Sequence, residues 1–99
     1  PVLPIMAFNT EAEVIAAAND SEFGLCSSVW TADRDRAVAV ARQLEAGFTY
    51  LNAHGPAAQD GRSPFGGFKH SGIGRNMGYE GVTQFQGHHA ISGPAGWLF

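Results

Sequence analysis

The chain is poor in cysteine, has no excess of basic charge and contains no long apolar run. Each shortage removes a class of function. Cys26 is the single cysteine among 99 residues, so no disulfide can form within the chain, and a reducing, cytoplasmic location is the expectation. A free cysteine in the run F-G-L-C-S-S-V-W is expected to serve as a small buried apolar residue. Lys and Arg number 6 against 9 Asp and Glu, a formal net charge of −3, which argues against a nucleic-acid surface. No apolar run approaches the roughly 20 residues of a membrane span, and no basic start with a short apolar core marks a signal peptide. A starting methionine is missing too. The chain opens on Pro1, and a processed or truncated product is the expectation. Histidines are few and badly spaced for metal: His88 and His89 are adjacent and on a strand would point to opposite faces, while His54 and His70 have no ligand partner at a familiar spacing. No metal site is expected.

Glycine is what the chain has in abundance, 13 residues in all. The densest stretch is Pro64 to Arg75, P-F-G-G-F-K-H-S-G-I-G-R, with four glycines in twelve residues. Such a segment suits neither a helix nor a central strand, because glycine loses more backbone entropy than alanine on ordering. A Gly-rich connecting loop is the plain reading. The familiar phosphate and nucleophile motifs do not fit. A dinucleotide fingerprint would need glycine where Met77 stands, a phosphate loop would need lysine directly after glycine, and a G-x-S-x-G elbow would need glycine at Lys69.

In chain order, Val2 to Phe8 is a nearly unbroken apolar run, the pattern of a strand covered on both faces. Pro4 belongs near its start or on an unpaired edge. Thr10-Glu11-Ala12-Glu13 reads as a capping box, opening a helix from Glu11 to about Ala18 that buries Val14, Ala17 and Ala18. Asn19, Asp20 and Gly24 provide a turn. Leu25 to Thr31 reads as a second strand. Thr31 or Asp33 caps a helix from Arg34 to Glu45, with Ala37, Val38, Ala41 and Leu44 at helical spacing and Gly47 as a stop. Phe48 to Leu51 is a third strand, ending at Asn52. The rhythm predicts an α/β architecture: a βαβαβ fragment of an open, mostly parallel sheet, followed by the Gly-rich loop, a short helix from Tyr79 to Phe85 and a strand from His88 to Ser92. Ligands in open α/β sheets bind beyond the carboxyl ends of strands, so Ala53 to Ser63 and Pro64 to Gly67 are the expected pocket wall.

The run Pro64, Phe65, Gly66, Gly67, Lys69, Ser71, Gly72, Gly74, Arg75 resembles the P-F-G-G-x-K-x-S-G-x-G-R hallmark near the C-terminus of the NAD(P)-dependent aldehyde dehydrogenase superfamily. The resemblance extends back through Ala46-Gly47, Arg36-Ala37, Val29-Trp30-Thr31, Phe23-Gly24-Leu25 and Asn19-Asp20, and forward through Gly78 and Gly81. It covers nearly the whole chain. It implies that residues 1–87 are the C-terminal part of a catalytic domain, and that 88–99 form an oligomerisation strand and tail ending in Trp97, Leu98 and Phe99, with a disordered terminus as the alternative. A homodimer or homotetramer of the full-length protein is implied.

The chemistry implied is attack of a cysteine thiolate on an aldehyde, hydride transfer to the nicotinamide of NAD or NADP, and hydrolysis of the thioester by water that a glutamate activates. Neither the nucleophile nor the glutamate is in this sequence, and Pro1 resembles the proline that follows the family's cofactor-contacting Glu-x-Phe-Gly. The chain alone is therefore expected to be inactive, without catalytic or cofactor-binding residues of its own. What the resemblance carries over is part of a substrate pocket. Phe65 matches a phenylalanine lining the aldehyde tunnel, a core phenylalanine being the alternative. Asn52 through Arg62 match the entrance side, with His54 and Arg62 as selectors for polar or anionic aldehydes. Lys69 and Gly72 match positions whose carbonyls hold a monovalent cation in some betaine-aldehyde members. Asn76 departs from the usual glutamate of a proposed proton relay and cannot release a proton near neutral pH. A stand-alone, non-catalytic interaction or oligomerisation module and an acylating or semialdehyde-specific enzyme are the competing readings.

Overall fold

The structure is a computed structural model that describes residues Val2 to Trp97. Pro1, and the Leu98-Phe99 end assigned to oligomer contacts, lie outside the described residues.

The first helix, α1 (Glu11–Asn19), starts where its capping box dictates. The Thr10 hydroxyl accepts from the Glu13 amide at 3.2 Å, and the Glu13 carboxylate accepts from the amides of Thr10 and Asn9. These bonds satisfy backbone donors that a helix start otherwise leaves open. A short strand, β1 (Phe23–Gly24), precedes β2 (Cys26–Val29), and α2 (Arg34–Ala41) begins on Asp33, whose carboxylate accepts from the Arg36 amide at 3.0 Å. β3 (Phe48–Leu51) pairs in parallel with β2, placing Cys26 opposite Phe48 and Ser28 opposite Tyr50. The β2–α2–β3 unit, with α2 packed on both strands, is the parallel part of the α/β fold. A 3-10 turn at Pro56–Ala58 follows. β4 (Phe68–Lys69) then returns to pair antiparallel with β1, and α3 (Gly78–Thr83) is the last regular element.

Several expectations need correction. Val2 to Phe8 forms no ladder, and Val2 and Ile5 are more than nine-tenths exposed; among the described residues no strand edge pairs with this run, and an apolar run alone does not make a strand. His88 to Ser92 is irregular for the same reason. Gly24 belongs to β1 rather than to a turn. In α1, Val14 is half-buried while Ala17 and Ala18 are exposed, since little packs over that face. Helix α2 stops at Ala41, not Glu45, and Gln43 and Leu44 continue in tighter turns onto the carbonyls of Val40 and Ala41. The cause is Asn19, whose amide takes the Gln43 carbonyl and the Glu45 amide at 2.8 Å each, drawing the chain out of the helix. Cys26 is exposed rather than buried, because β2 pairs with β3 alone in a two-stranded sheet.

The core is small. Among the described residues the buried hydrophobic side chains are Ala37 and Tyr50. The radius of gyration is 19.0 Å, against about 13 Å for a compact domain of this length. A chain so extended cannot bury enough apolar surface to stand on that core alone.

Candidate functional site

The Gly-rich segment is closed on itself at its ends and tied to β1 at its middle. Phe65 and Asn76 exchange backbone hydrogen bonds of 2.7 Å in an antiparallel bridge. Further along, the Gly24 amide donates to the Ser71 hydroxyl at 2.9 Å and the His70 amide to the Glu22 carbonyl at 2.9 Å. Arg75 spans the inside of the bend, donating to the carbonyls of Gly67 and Gly74 at 3.0 and 2.7 Å while its guanidinium lies 5.5 Å over the Phe68 ring. With Asn76 in place of an acid, Arg75 is held by carbonyls and a ring face.

Glycine is required here by close backbone approach. A Cβ on Gly47 would overlap the carbonyl oxygen of Gly66. That contact places the Gly-rich segment at the amino end of β3, beside Phe48. Of the two stretches expected to wall a pocket, Ala53 to Ser63 leaves from the carboxyl end of β3 and then carries the chain back along the strand, so that Phe65 in Pro64 to Gly67 reaches its start.

The result is a run of rings along β3. Phe65 lies 5.8 Å from Phe48, Phe48 lies 4.7 Å from Tyr50, and Tyr50 lies 5.3 Å from His54, between ring centroids. Phe48 and Tyr50 share one face of the strand through its two-residue period. His54 closes the run, its Nδ1 2.5 Å from the Ser28 hydroxyl on β2. Phe65 and His54 are thus linked through ring contacts, with the buried Tyr50 between the half-buried Phe48 and the exposed His54. Asn52 sits just past β3 with φ of 49°, its amide donating to the Val29 carbonyl at 2.9 Å and its side chain clasping the backbone of Thr31.

Arg62 is not part of this run. Its guanidinium grips the Asp60 carboxylate, Nη2 to Oδ2 at 2.8 Å and Nε to Oδ1 at 3.0 Å, and its own amide adds a third bond at 3.0 Å. The side-chain bonds from Arg62, helped by its backbone N–H, hold the Asp60 pKa down at about 2, and the pairing raises that of Arg62. Lys69 is also engaged, its ammonium 2.6 Å from both the Asn19 carbonyl and the Glu45 carboxylate. The Lys69 carbonyl accepts from the Gly72 amide at 3.4 Å. Among the described residues no three of His, Cys, Asp and Glu gather as metal ligands.

Phe48, Tyr50 and Ser28 escaped sequence reasoning, as did Asp60, the partner of Arg62. Ser28 is a small polar residue in a strand, and only the β2–β3 register reveals that it shares a face with Tyr50. Asp60 stands two residues before Arg62, a spacing that could have suggested the pair. A cavity of about 450 Å³ opens between α1, α2 and β2, lined by Phe8, Val14, Ile15, Ser28, Trp30 and Leu44 among others. None of Phe65, Asn52, His54 and Arg62 borders it, and its charged lining groups, Glu11 and Arg36, pair with each other at 2.6 Å.

Comparison with known proteins supplies the context for this geometry. The pattern of the Aldehyde dehydrogenase family matches residues 1–91. Geranial dehydrogenase of Castellaniella defragrans is 42% identical over 91 residues, 92% of this chain and 18% of that protein. Betaine aldehyde dehydrogenase of Brucella melitensis is 45% identical over 85 residues, 86% of this chain and 17% of that protein. The chain thus spans less than a fifth of the length of these curated relatives. Among solved structures, the NAD+ complex of Mycobacterium tuberculosis aldehyde dehydrogenase superposes on 93% of this chain and 18% of its own, with a TM-score of 0.85 at 40% identity.

Proposed function

The chain belongs to the aldehyde dehydrogenase family, and from that premise we propose that it is the C-terminal part of the catalytic domain of an enzyme oxidising aldehydes to carboxylic acids with NAD+ or NADP+. In this reading residues 1–87 complete the catalytic domain and 88–99 contribute to contacts between subunits of a cytoplasmic homodimer or homotetramer. The observation that carries the proposal is the Gly-rich bend, which the Gly47–Gly66 approach seats so that Phe65 continues the run of rings along β3. The small core supports it too: a chain burying only Ala37 and Tyr50 among its described hydrophobics is suited to be one piece of a larger fold.

The chain's own residues do not fit a dinucleotide. The space a phosphate cradle would need at Gly66 and Gly67 is filled by the carbonyl of Gly74 and the side chains of Arg75 and Ser71, and the guanidinium of Arg75 is spent on carbonyls. No step through the cofactor is assigned to this chain; the proposal puts the cofactor, the nucleophilic thiol and the water-activating carboxylate on other polypeptide of the same enzyme. The part played here is to wall the aldehyde: Phe65 and Phe48, backed by the buried ring of Tyr50, give an apolar side that excludes water, Asn52 and His54 border its far end, and Arg62 stands outside with Asp60. Lys69 and Gly72 remain candidates for backbone coordination of a monovalent cation.

The test is an assay of the enzyme containing this chain against a panel of aldehydes with both cofactors. Turnover is expected, with Phe65→Ala raising KM for apolar aldehydes about tenfold or more, as loss of a buried aromatic contact implies. The 99-residue chain alone is expected to be inactive. Turnover by the isolated chain, or none by the whole enzyme, would overturn the reading.

A further inference from the structure

Met77 and Gln59 meet at the seam between the Ala53–Ser63 loop and the start of α3. We propose that the Met77 thioether is an oxidation site, which a hydroperoxide converts to one sulfoxide epimer and which then releases the loop. The Gln59 side-chain amide donates to Met77 Sδ at 3.2 Å. Around that bond the backbone is tight. The Gly78 amide donates to the Gly61 carbonyl at 3.2 Å, and a Cβ on Gly78 would overlap the Arg62 carbonyl oxygen. Away from Gln59, Met77 borders an open groove with Arg62, Tyr79, Val82 and Phe85, and the residue is 48% exposed. Solvent therefore reaches the sulfur from one side, and the loop covers it from the other.

A thioether sulfur carries two lone pairs, and oxygen added to one or the other gives opposite epimers. Here one pair takes the Gln59 N–H and the second faces away from the loop. That second pair attacks the outer oxygen of the hydroperoxide. The O–O bond breaks, the proton passes to the departing oxygen, and water or an alcohol leaves. Sulfur loses two electrons and the hydroperoxide gains them. The new S–O dipole leaves the sulfur electron-poor, so a weak acceptor becomes none for Gln59, and a polar oxygen stands beside the apolar side chains of the groove. The loop keeps its backbone bond to Gly78 and loses its side-chain anchor.

Neither this chemistry nor its test depends on the proposed reaction. The full-length protein is treated with hydrogen peroxide and Met77 is followed by peptide mass spectrometry, with Met6, 71% exposed, as the accessible reference. Met77 is expected to oxidise with one epimer in about threefold excess or more, the scale of breaking one weak hydrogen bond. The epimers are counted, after digestion, by the fractions that the two epimer-specific sulfoxide reductases restore. Gln59→Ala should bring them to near equality. Exchange of the Gly78 amide should quicken about threefold on oxidation, again the scale of one weak bond, and should not respond to peroxide in Met77→Leu. Resistance of Met77 while Met6 oxidises, or an even epimer mixture in the native protein, overturns the proposal. So does Gly78 exchange that oxidation leaves alone, or that quickens equally in Met77→Leu.

Discussion

The Asn52 side chain holds both backbone groups of Thr31: its Oδ1 accepts from the Thr31 amide and its Nδ2 donates to the Thr31 carbonyl, each at 2.8 Å. The clasp lies just beyond the carboxyl ends of β2 and β3, where the parallel ladder has no further bonds to offer. It fixes the point at which the chain leaves β3 toward His54, so local structure here positions the candidate site.

Replacing Asn52 separates two contributions. Asn52→Ala removes two exposed hydrogen bonds, about 1–2 kcal/mol together, and forces alanine into a left-handed backbone that costs about 1–2 kcal/mol more. Asn52→Gly loses the bonds but not the backbone fit, and should be the milder change. Urea midpoints of the two variants, measured in the full-length protein, test that order; a glycine variant less stable than the alanine variant would contradict it.

Gly47 should tolerate no side chain. A Cβ there meets the Gly66 carbonyl and the Gly67 backbone, and neither is the end of a flexible side chain that could move aside. Gly47→Ala is expected to cost about 2 kcal/mol or more, as overpacking against backbone does, and to push Phe65 off Phe48. Gly61 and Gly87 have nothing within 4 Å of a built Cβ, so alanine at either should stay within about 0.5 kcal/mol of native. Expression and thermal melting of the three variants give the comparison.

The fold was legible wherever its causes are local. Thr10 with Glu13, and Asp33 with Arg36, announce helix starts because each cap is made within four residues. Phe48–Leu51 was marked by β-preferring residues between Gly47 and Asn52. What escaped depends on contacts distant in sequence. The early end of α2 is set by Asn19 reaching to Gln43 and Glu45, and no window around Ala41 contains that information. Val2 to Phe8 has the composition of a strand, but a ladder needs a partner edge. For the site, the motif located Phe65 and the loop located His54, whereas the Phe48 and Tyr50 rings between them and the Ser28 anchor required the register of β2 on β3.

The Asp60–Arg62 pair makes a prediction about acid. Asp60 titrates near 2 in the folded chain, below the ordinary value of 3.8, so the native loop binds fewer protons than the unfolded chain between those values. The pairing therefore favours the folded loop above about pH 4, and that contribution is lost as pH falls toward 2. Both groups are on the surface, so the effect belongs to the loop rather than to global stability. Carbon-detected NMR of the Asp60 carboxyl should show a midpoint near 2 that moves up toward the ordinary value in Arg62→Ala. A native midpoint near 4 would show that the pair does not form in solution.

Lys69 ties three parts of the chain together. Its ammonium reaches the carbonyl of Asn19, at the end of α1 where helix acceptors lack intrahelical donors, and the carboxylate of Glu45 in the α2–β3 connection, each at 2.6 Å. The two bonds differ in kind. The carbonyl bond anchors the Gly-rich hairpin to a helix end by a part-buried cation, a contact worth about 1.5–3 kcal/mol. The ion pair is exposed on its Glu45 side, worth about 1 kcal/mol or less and screened by salt. Lys69→Met, which keeps length and removes charge, should therefore destabilise the protein more than Glu45→Gln, and most of its loss should persist in molar salt. Arginine at this position is a poor rescue, because its planar fork replaces a compact ammonium that serves two acceptors at once. Equal losses for Lys69→Met and Glu45→Gln, both vanishing in salt, would mean that the ion pair fastens the hairpin and the Asn19 carbonyl contributes nothing.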